Sequence, residues 1–302
     1  MILPRCFLSV PFLSLLVTLA VAALRADGAP GAAARKSTAP VVVIHGQRSL
    51  GSEGDRRFAL SLSRHAVRWF REGGLEVDIA GDEQLATALR GRQVAMLNHC
   101  DRPPAGQLRE LKAFVARGGT LIVCYSSSPE LADLMGVRLG AYIKAEPGQF
   151  ASMLFEQPKP VNTPRQIAQS SPNILPATAI KGRSTVLAWW LDRQGQPTGQ
   201  AAWLRSPAGF WMTHILTADG DAAEKGRLLV ALAADRHPQL WRQAAAARLK
   251  RVLDGAPWAE VEEARQQARA IADPRRRAAA LAAVEQAYRD SREARRLLNA
   301  GR

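Results

Sequence analysis

The sequence predicts a doubly wound, mostly parallel α/β sheet with a C-terminal helical extension, and three observations predict it. A β-branched run at 41–44 and largely apolar runs at 94–97 and 120–124 read as strands buried on both faces. Amphipathic stretches between them close on paired glycines, Gly73-Gly74 and Gly118-Gly119, which suit helix C-caps. Strand and helix alternate at the spacing of parallel crossover units.

The elements follow in order. Residues 41–44, ended by His45-Gly46, form the first strand, and Phe58, Leu62, Ala66, Trp69 and Phe70 mark the inner face of a helix over 55–72. The alternation at 75–79 predicts a second strand, 84–89 a short helix and 94–97 a third strand. Pro104 suits a first helical turn, with Leu108, Leu111, Phe114 and Val115 turned inward. A fourth strand spans 120–124, and Pro129 opens a helix that ends at Gly136. After 137, short apolar runs are separated by Pro, Gly, Asn and Ser; 185–191 and 200–205 pair as a hairpin about the turn 192–196. A last core strand is expected over 209–216 and a helix over 221–233. Residues 1–29 are expected to be signal peptide and leader, 40–235 the α/β domain, and 238–302 an Arg-rich helical extension. Pro238, Pro257 and Pro274 open its helices. The extension is expected to pack on the core, pair with another chain or connect to a further segment.

The 302 residues are 47% apolar and 23% charged, which excludes a wholly disordered or fibrous chain. Three cysteines exclude a disulfide-built scaffold and a four-cysteine zinc site. One positive charge at Arg5, an uncharged run over 6–24 and the small-x-small sequence Ala20-Val21-Ala22 read as an export signal. The protein is therefore expected in the periplasm or secreted; an uncleaved membrane anchor is the alternative. Lys and Arg exceed Asp and Glu by 41 to 27, a net +14, but the arginines are spread along the chain without an aromatic-interleaved patch. Nucleic acid is not expected as a partner; carbohydrate, an envelope protein or a second copy joined through the α/β domain or the tail are the partners considered.

Open parallel sheets bind ligands beyond the carboxyl ends of their strands. That places Gln47, Asn98, His99, Asp101, Tyr125, Ser126 and His214 around one rim as the candidate pocket. Cys100 lies between His99 and Asp101, but neighbours in an extended segment point opposite ways and do not converge as a triad. A Cys100–Cys124 disulfide would join parallel strands two positions out of register, a strained geometry. Gly46-x4-Gly51 has phosphate-loop spacing, yet Ser52-Glu53 replaces the Lys-Ser/Thr pair and sets a negative charge where phosphate would lie. Neither a metal nor a cofactor is expected. Trp203 and Trp211 are candidates for sugar stacking, with core packing as the competing reading.

Residues 111–125, 129–137 and Met212-Thr-His-Ile-Leu216, followed by an acidic turn and Lys225, resemble the class I glutamine amidotransferase-like fold. The resemblance spans about 41–235 and is to the exported, degenerate version found N-terminal to family-10-type glycoside hydrolase barrels; similar domains occur in β-galactosidase trimerisation modules and trehalose-utilisation-like proteins. The family's nucleophile elbow is Gly-x-Cys-x-Gly, and the matching stretch is Val123-Cys-Tyr-Ser-Ser127, without either glycine. Lacking them, the backbone after Val123 is expected to run on without a sharp bend and Cys124 to face inward. The family's His-x-Glu is also missing, since Ile215 and Leu216 follow His214. The resemblance implies a non-catalytic accessory domain of carbohydrate processing. The alternatives are the N-terminal part of a split or truncated glycoside hydrolase, or a hydrolase with its site at the rim.

Overall fold

The computed structural model describes residues 39–255, 265–266, 268–269 and 274–299. The expected export segment and the start of the second tail helix lie outside these residues. Among the described residues, nine strands form one sheet in the order β2-β1-β3-β4-β13-β12-β11-β7-β8. The parallel half comprises β2 (Val77–Gly81), β1 (Val41–His45), β3 (Val94–Asn98), β4 (Thr120–Cys124) and β13 (Gly209–Met212). The antiparallel half adds β12 (Pro197–Ser206), β11 (Thr185–Leu191), β7 (Ser152–Phe155) and β8 (Gln166–Ala168), while β5 (Val137–Leu139) pairs with β10 (Ala177–Ala179) and β6 (Ile143–Lys144) with β9 (Asn173–Ile174) in two small separate sheets. Numbered within its parallel half, the order is 2-1-3-4-5, the doubly wound arrangement whose ligands sit at the β1/β3 switch point.

Two apolar layers sandwich the sheet. On one face, Ala66, Trp69 and Phe70 of α1 (Glu53–Glu72) pack on Val43, Met96 and Cys124, together with Leu228, Leu229 and Leu232 of α5 (Ala222–Arg236). The other face holds α2 (Leu85–Ala88), α3 (Ala105–Ala116) and α4 (Pro129–Leu134) against Ile44, Leu97, Leu121 and Val123. The alternation of burial partners along β1, β3 and β4 is the period-two pleat expressed in a sheet covered on both sides. Ser52 caps α1 by accepting from the Asp55 amide at 3.0 Å, and Gly74, at φ 94°, turns the chain out of it.

The predicted elements recur with shifted ends. Strand β2 begins at Val77, because Leu75 belongs to the turn after α1, where its amide bonds the Phe70 carbonyl. Strand β13 stops at Met212, because Thr213 turns into the core: its hydroxyl donates to the Ala201 carbonyl and accepts from Trp190 Nε1. The inner stripe of α1 starts at Ala59; Phe58, expected inward, is 48% exposed. In the tail, α6 (Gln239–Gly255) packs on α5, with Leu240 and Ala244 in the core, and α7 (Pro274–Asn299) packs on α6. No helix among the described residues is long and apolar enough to cross a membrane.

Trp203 and Trp211 are 0% and 1% exposed, on opposite faces of the sheet, so neither stacks on a sugar. Both lie on strands covered by a neighbouring layer, where an indole's large apolar area belongs in the core. Cys100 and Cys124 are free thiols, not a disulfide. The register sets Asn98, not Cys100, beside Cys124, and the two sulfurs serve opposite apolar layers.

Candidate functional site

The strand ends bring the predicted rim residues together, on turns the sequence does not announce. Two residues that are not glycine, His99 after β3 and Tyr125 after β4, adopt left-handed backbones at φ 59° and 62°. Each such conformation costs about 1–3 kcal/mol in a non-glycine residue, and outliers of this kind collect at ligand and active sites. The bend expected to be missing after Val123 is therefore present, made without glycine. Its apex carries a phenol. The Tyr125 amide reaches across to the Met212 carbonyl and the His99 amide to that of Cys124, tying three strand ends.

Around these apices the loops are laced by polar contacts. Asp101 accepts from the Ser127 amide at 2.7 Å, Ser126 Oγ donates to the Asp101 carbonyl, and Arg102 Nε donates to Ser127 Oγ. Ser128 caps α4, its hydroxyl accepting from the Leu131 amide. The loop after β1 curls its Gln47, Arg48 and Ser49 amides around the buried carboxylate of Asp82, at 2.7–3.0 Å. This is an anion nest filled by the protein's own carboxylate. The phosphate-loop spacing thus does mark an anion-binding backbone, and sequence spacing alone does not show that its anion is internal.

His214 is placed beneath the rim rather than on it. It is 3% exposed, with Nδ1 3.0 Å from the Ile215 carbonyl and 3.1 Å from Ser171 Oγ. A carbonyl only accepts, so Nδ1 carries the hydrogen. Burial lowers its pKa to about 4, outweighing the raising influence of Ile215 and Asp219. Charging it costs folding energy, because the unfolded chain binds this proton more readily between pH 6.5 and about 4. Stability from this group is full above pH 6.5 and is lost as pH falls through that window, by about 3 kcal/mol. Urea titrations at pH 7 and pH 4 are expected to show the wild type losing that much more stability than His214→Gln.

Neither thiol reaches the surface. Cys124 is 0% exposed and Cys100, whose Sγ–H points at the Ile44 carbonyl, 2%. Burial pushes both pKa values far up, and the Asp82 charge adds to this at Cys100. Among the described residues, His, Cys, Asp and Glu form no cluster placed to hold a metal ion.

Two further rings belong to the rim. Phe58, on the second turn of α1, meets the His99 ring edge-on at 6.1 Å, and His99 meets Tyr125 at 5.8 Å, successive planes lying near perpendicular. Tyr142, 56% exposed, lies close enough to Tyr125 for the two phenols to interact electrostatically. Next to His99 in the chain, neither amide atom of the fully buried Asn98 has a hydrogen-bond partner among the described residues, nor has His99 Nδ1. Phe58 was legible in the sequence as an aromatic on α1, but helical periodicity assigned it to the core; Tyr142 sits in a loop without a repeating pattern.

No protein-family model and no curated protein matches the chain. Solved structures do. A β-galactosidase from Bacillus circulans sp. alkalophilus superimposes with a TM-score of 0.52 at 15% identity, over 67% of this chain and 31% of that one. What the two share is the fold, a mostly parallel, doubly wound α/β sheet. A ThuA-like protein from Bacteroides uniformis matches 68% of this chain and 95% of its own, with a TM-score of 0.48 and 13% identity. A glutamine amidotransferase from Thermotoga maritima matches 87% and 96%, with a TM-score of 0.38 and 10% identity. The chain spans about a third of the β-galactosidase's length. In the window 123–127 the left-handed residue is Tyr125, and Cys124 beside it is enclosed in the sheet.

Proposed function

We propose that this chain is an exported, non-catalytic accessory domain that serves carbohydrate-processing machinery by binding. One observation carries the reading: the strained apex after β4, where an amidotransferase-like fold would present its thiolate, presents the Tyr125 phenol instead. Burial, then the nearby Asp101 charge, raises the pKa of that phenol, which keeps it neutral and a poor nucleophile near pH 7. The carboxylates close by already have protein partners: Asp82 accepts from three amides, Asp101 from the Ser127 amide and Asp55 from the Ser52 hydroxyl. A glycosidase needs a pair of carboxyl groups facing one bond. The β-galactosidase that shares the fold over part of its length supports the link to carbohydrate, and the N-terminal export signal supports the compartment.

A second reading, a hydrolase with its site at the rim, is favoured by the backbone strain at His99 and Tyr125. A glycan array together with nitrophenyl-glycoside assays separates the two. Retention of a glycan with no nitrophenol release is the expected result. Release that Tyr125→Phe abolishes would establish the hydrolase, and an array without any retained glycan would remove the carbohydrate reading.

A further inference from the structure

We propose that Phe58, His99, Tyr125 and Tyr142 form a stacking platform for a neutral pyranose ring at the β1/β3/β4 strand ends, with Asn98 and His99 supplying the hydrogen-bonding groups beneath it. The inference rests on the carbohydrate reading above and names the place and chemistry of its site. Four large apolar side chains are notably exposed among the described residues, and two of them, Phe58 and Tyr142, stand at this rim. Folding alone gives no reason to keep both rings in water beside two further aromatic rings, whereas the C–H face of a sugar gives one.

The polar groups fit the same ligand. A buried amide with neither atom satisfied costs free energy unless a water or ligand hydroxyl meets it. Asn98 is such an amide, and it immediately precedes the left-handed turn that raises the His99 ring. A sugar hydroxyl donates and accepts at once, matching an amide that offers both and an imidazole held neutral by burial. Charge at the rim is mixed: Asp55 and Asp101 both act on His99, and Arg102 pairs with Asp101 at 3.8 Å. That balance selects for neither an anion nor a cation and leaves a neutral polyol as the best chemical match. The Asp82 carboxylate already fills the backbone nest of the loop after β1, so a phosphorylated sugar finds no second anion site there.

Isothermal titration of the full chain with β-1,4-linked hexaoses of glucose, xylose, mannose and galactose tests the site. Phe58→Ala and Tyr142→Ala remove exposed rings, so thermal melts should match the wild type. Each is expected to weaken the best hexaose about tenfold, the equivalent of one stacking contact. Tyr125→Phe, which keeps the ring and loses the hydroxyl, should weaken it by less. Wild-type affinity in both alanine variants would overturn the platform while leaving carbohydrate binding in place elsewhere on the chain. No affinity for any of the hexaoses, or for any glycan on the array, would overturn both.

Discussion

Asp82→Ala is expected to lower stability by about 3–5 kcal/mol, since three amides lose a buried, charged acceptor at once. Gln47, Arg48 and Ser49 point their N–H groups at the two carboxylate oxygens over 2.7–3.0 Å, and Asp82 is 2% exposed. Removing the acceptor leaves three donors of one turn without their shared carboxylate, although the Arg102 amide still holds the Ser49 carbonyl and Leu50 stays buried. The Asp82 carbonyl also accepts from Gln107 Nε2 at 2.7 Å, so the same turn anchors α3. Asp82→Asn retains one acceptor oxygen and should fall between the two. Urea unfolding checks this, with a second arm: sulfate or phosphate should partly restore the alanine variant, because the emptied nest remains an anion site. An unchanged urea midpoint in Asp82→Ala would show that the nest does not hold the loop.

Gly209→Ala should be comparably damaging. Gly209 lies where the sheet passes from the antiparallel β12 to the parallel β4, pairing Ser206 on one side and Leu121 on the other. Its φ is 137°, and a Cβ there would stand 1.9 Å from the Leu121 carbonyl oxygen, a backbone atom that moves only with the strand. Relief requires β13 and β4 to part at their first pair, and the left-handed conformation itself penalises a side chain by about 1–3 kcal/mol. We expect the melting temperature to fall by about 10 °C or more, on the scale of roughly 2–4 °C per kcal/mol for a domain of this size. A variant melting within about 2 °C of wild type would mean that the crossing tolerates a side chain.

Much of this architecture is legible in the residues because it rests on strong periodic signals. The runs at 41–44, 94–97 and 121–124 are apolar at every position, as suits strands covered on both faces, and Gly73-Gly74 and Gly118-Gly119 mark where helices must turn. The ends of elements are less legible, because tertiary partners decide them: Thr213 leaves β13 for its bonds to Ala201 and Trp190, which no local pattern encodes. At the rim, strand order predicts which segments meet: Gln47, His99, Asp101, Tyr125 and Ser126 lie on the loops after β1, β3 and β4, Asn98 ends β3, and His214 is buried. The bends at His99 and Tyr125 are hidden because their usual marker, glycine, is absent and surrounding contacts impose the conformation instead. Trp203 and Trp211 show the converse. A tryptophan's sequence says that it is large and apolar, but the sheet face it occupies decides whether it packs or binds.

Alkylation of the native protein with iodoacetamide near neutral pH, read by peptide mapping, tests most directly whether the bend after β4 delivers a reactive group. Cys100 and Cys124 are expected to stay unmodified in the folded chain and to label fully in denaturant, as buried thiols with raised pKa values should. Rapid labelling of either one in the native state would place a thiolate within reach of substrate and contradict the account of a domain that binds without catalysing.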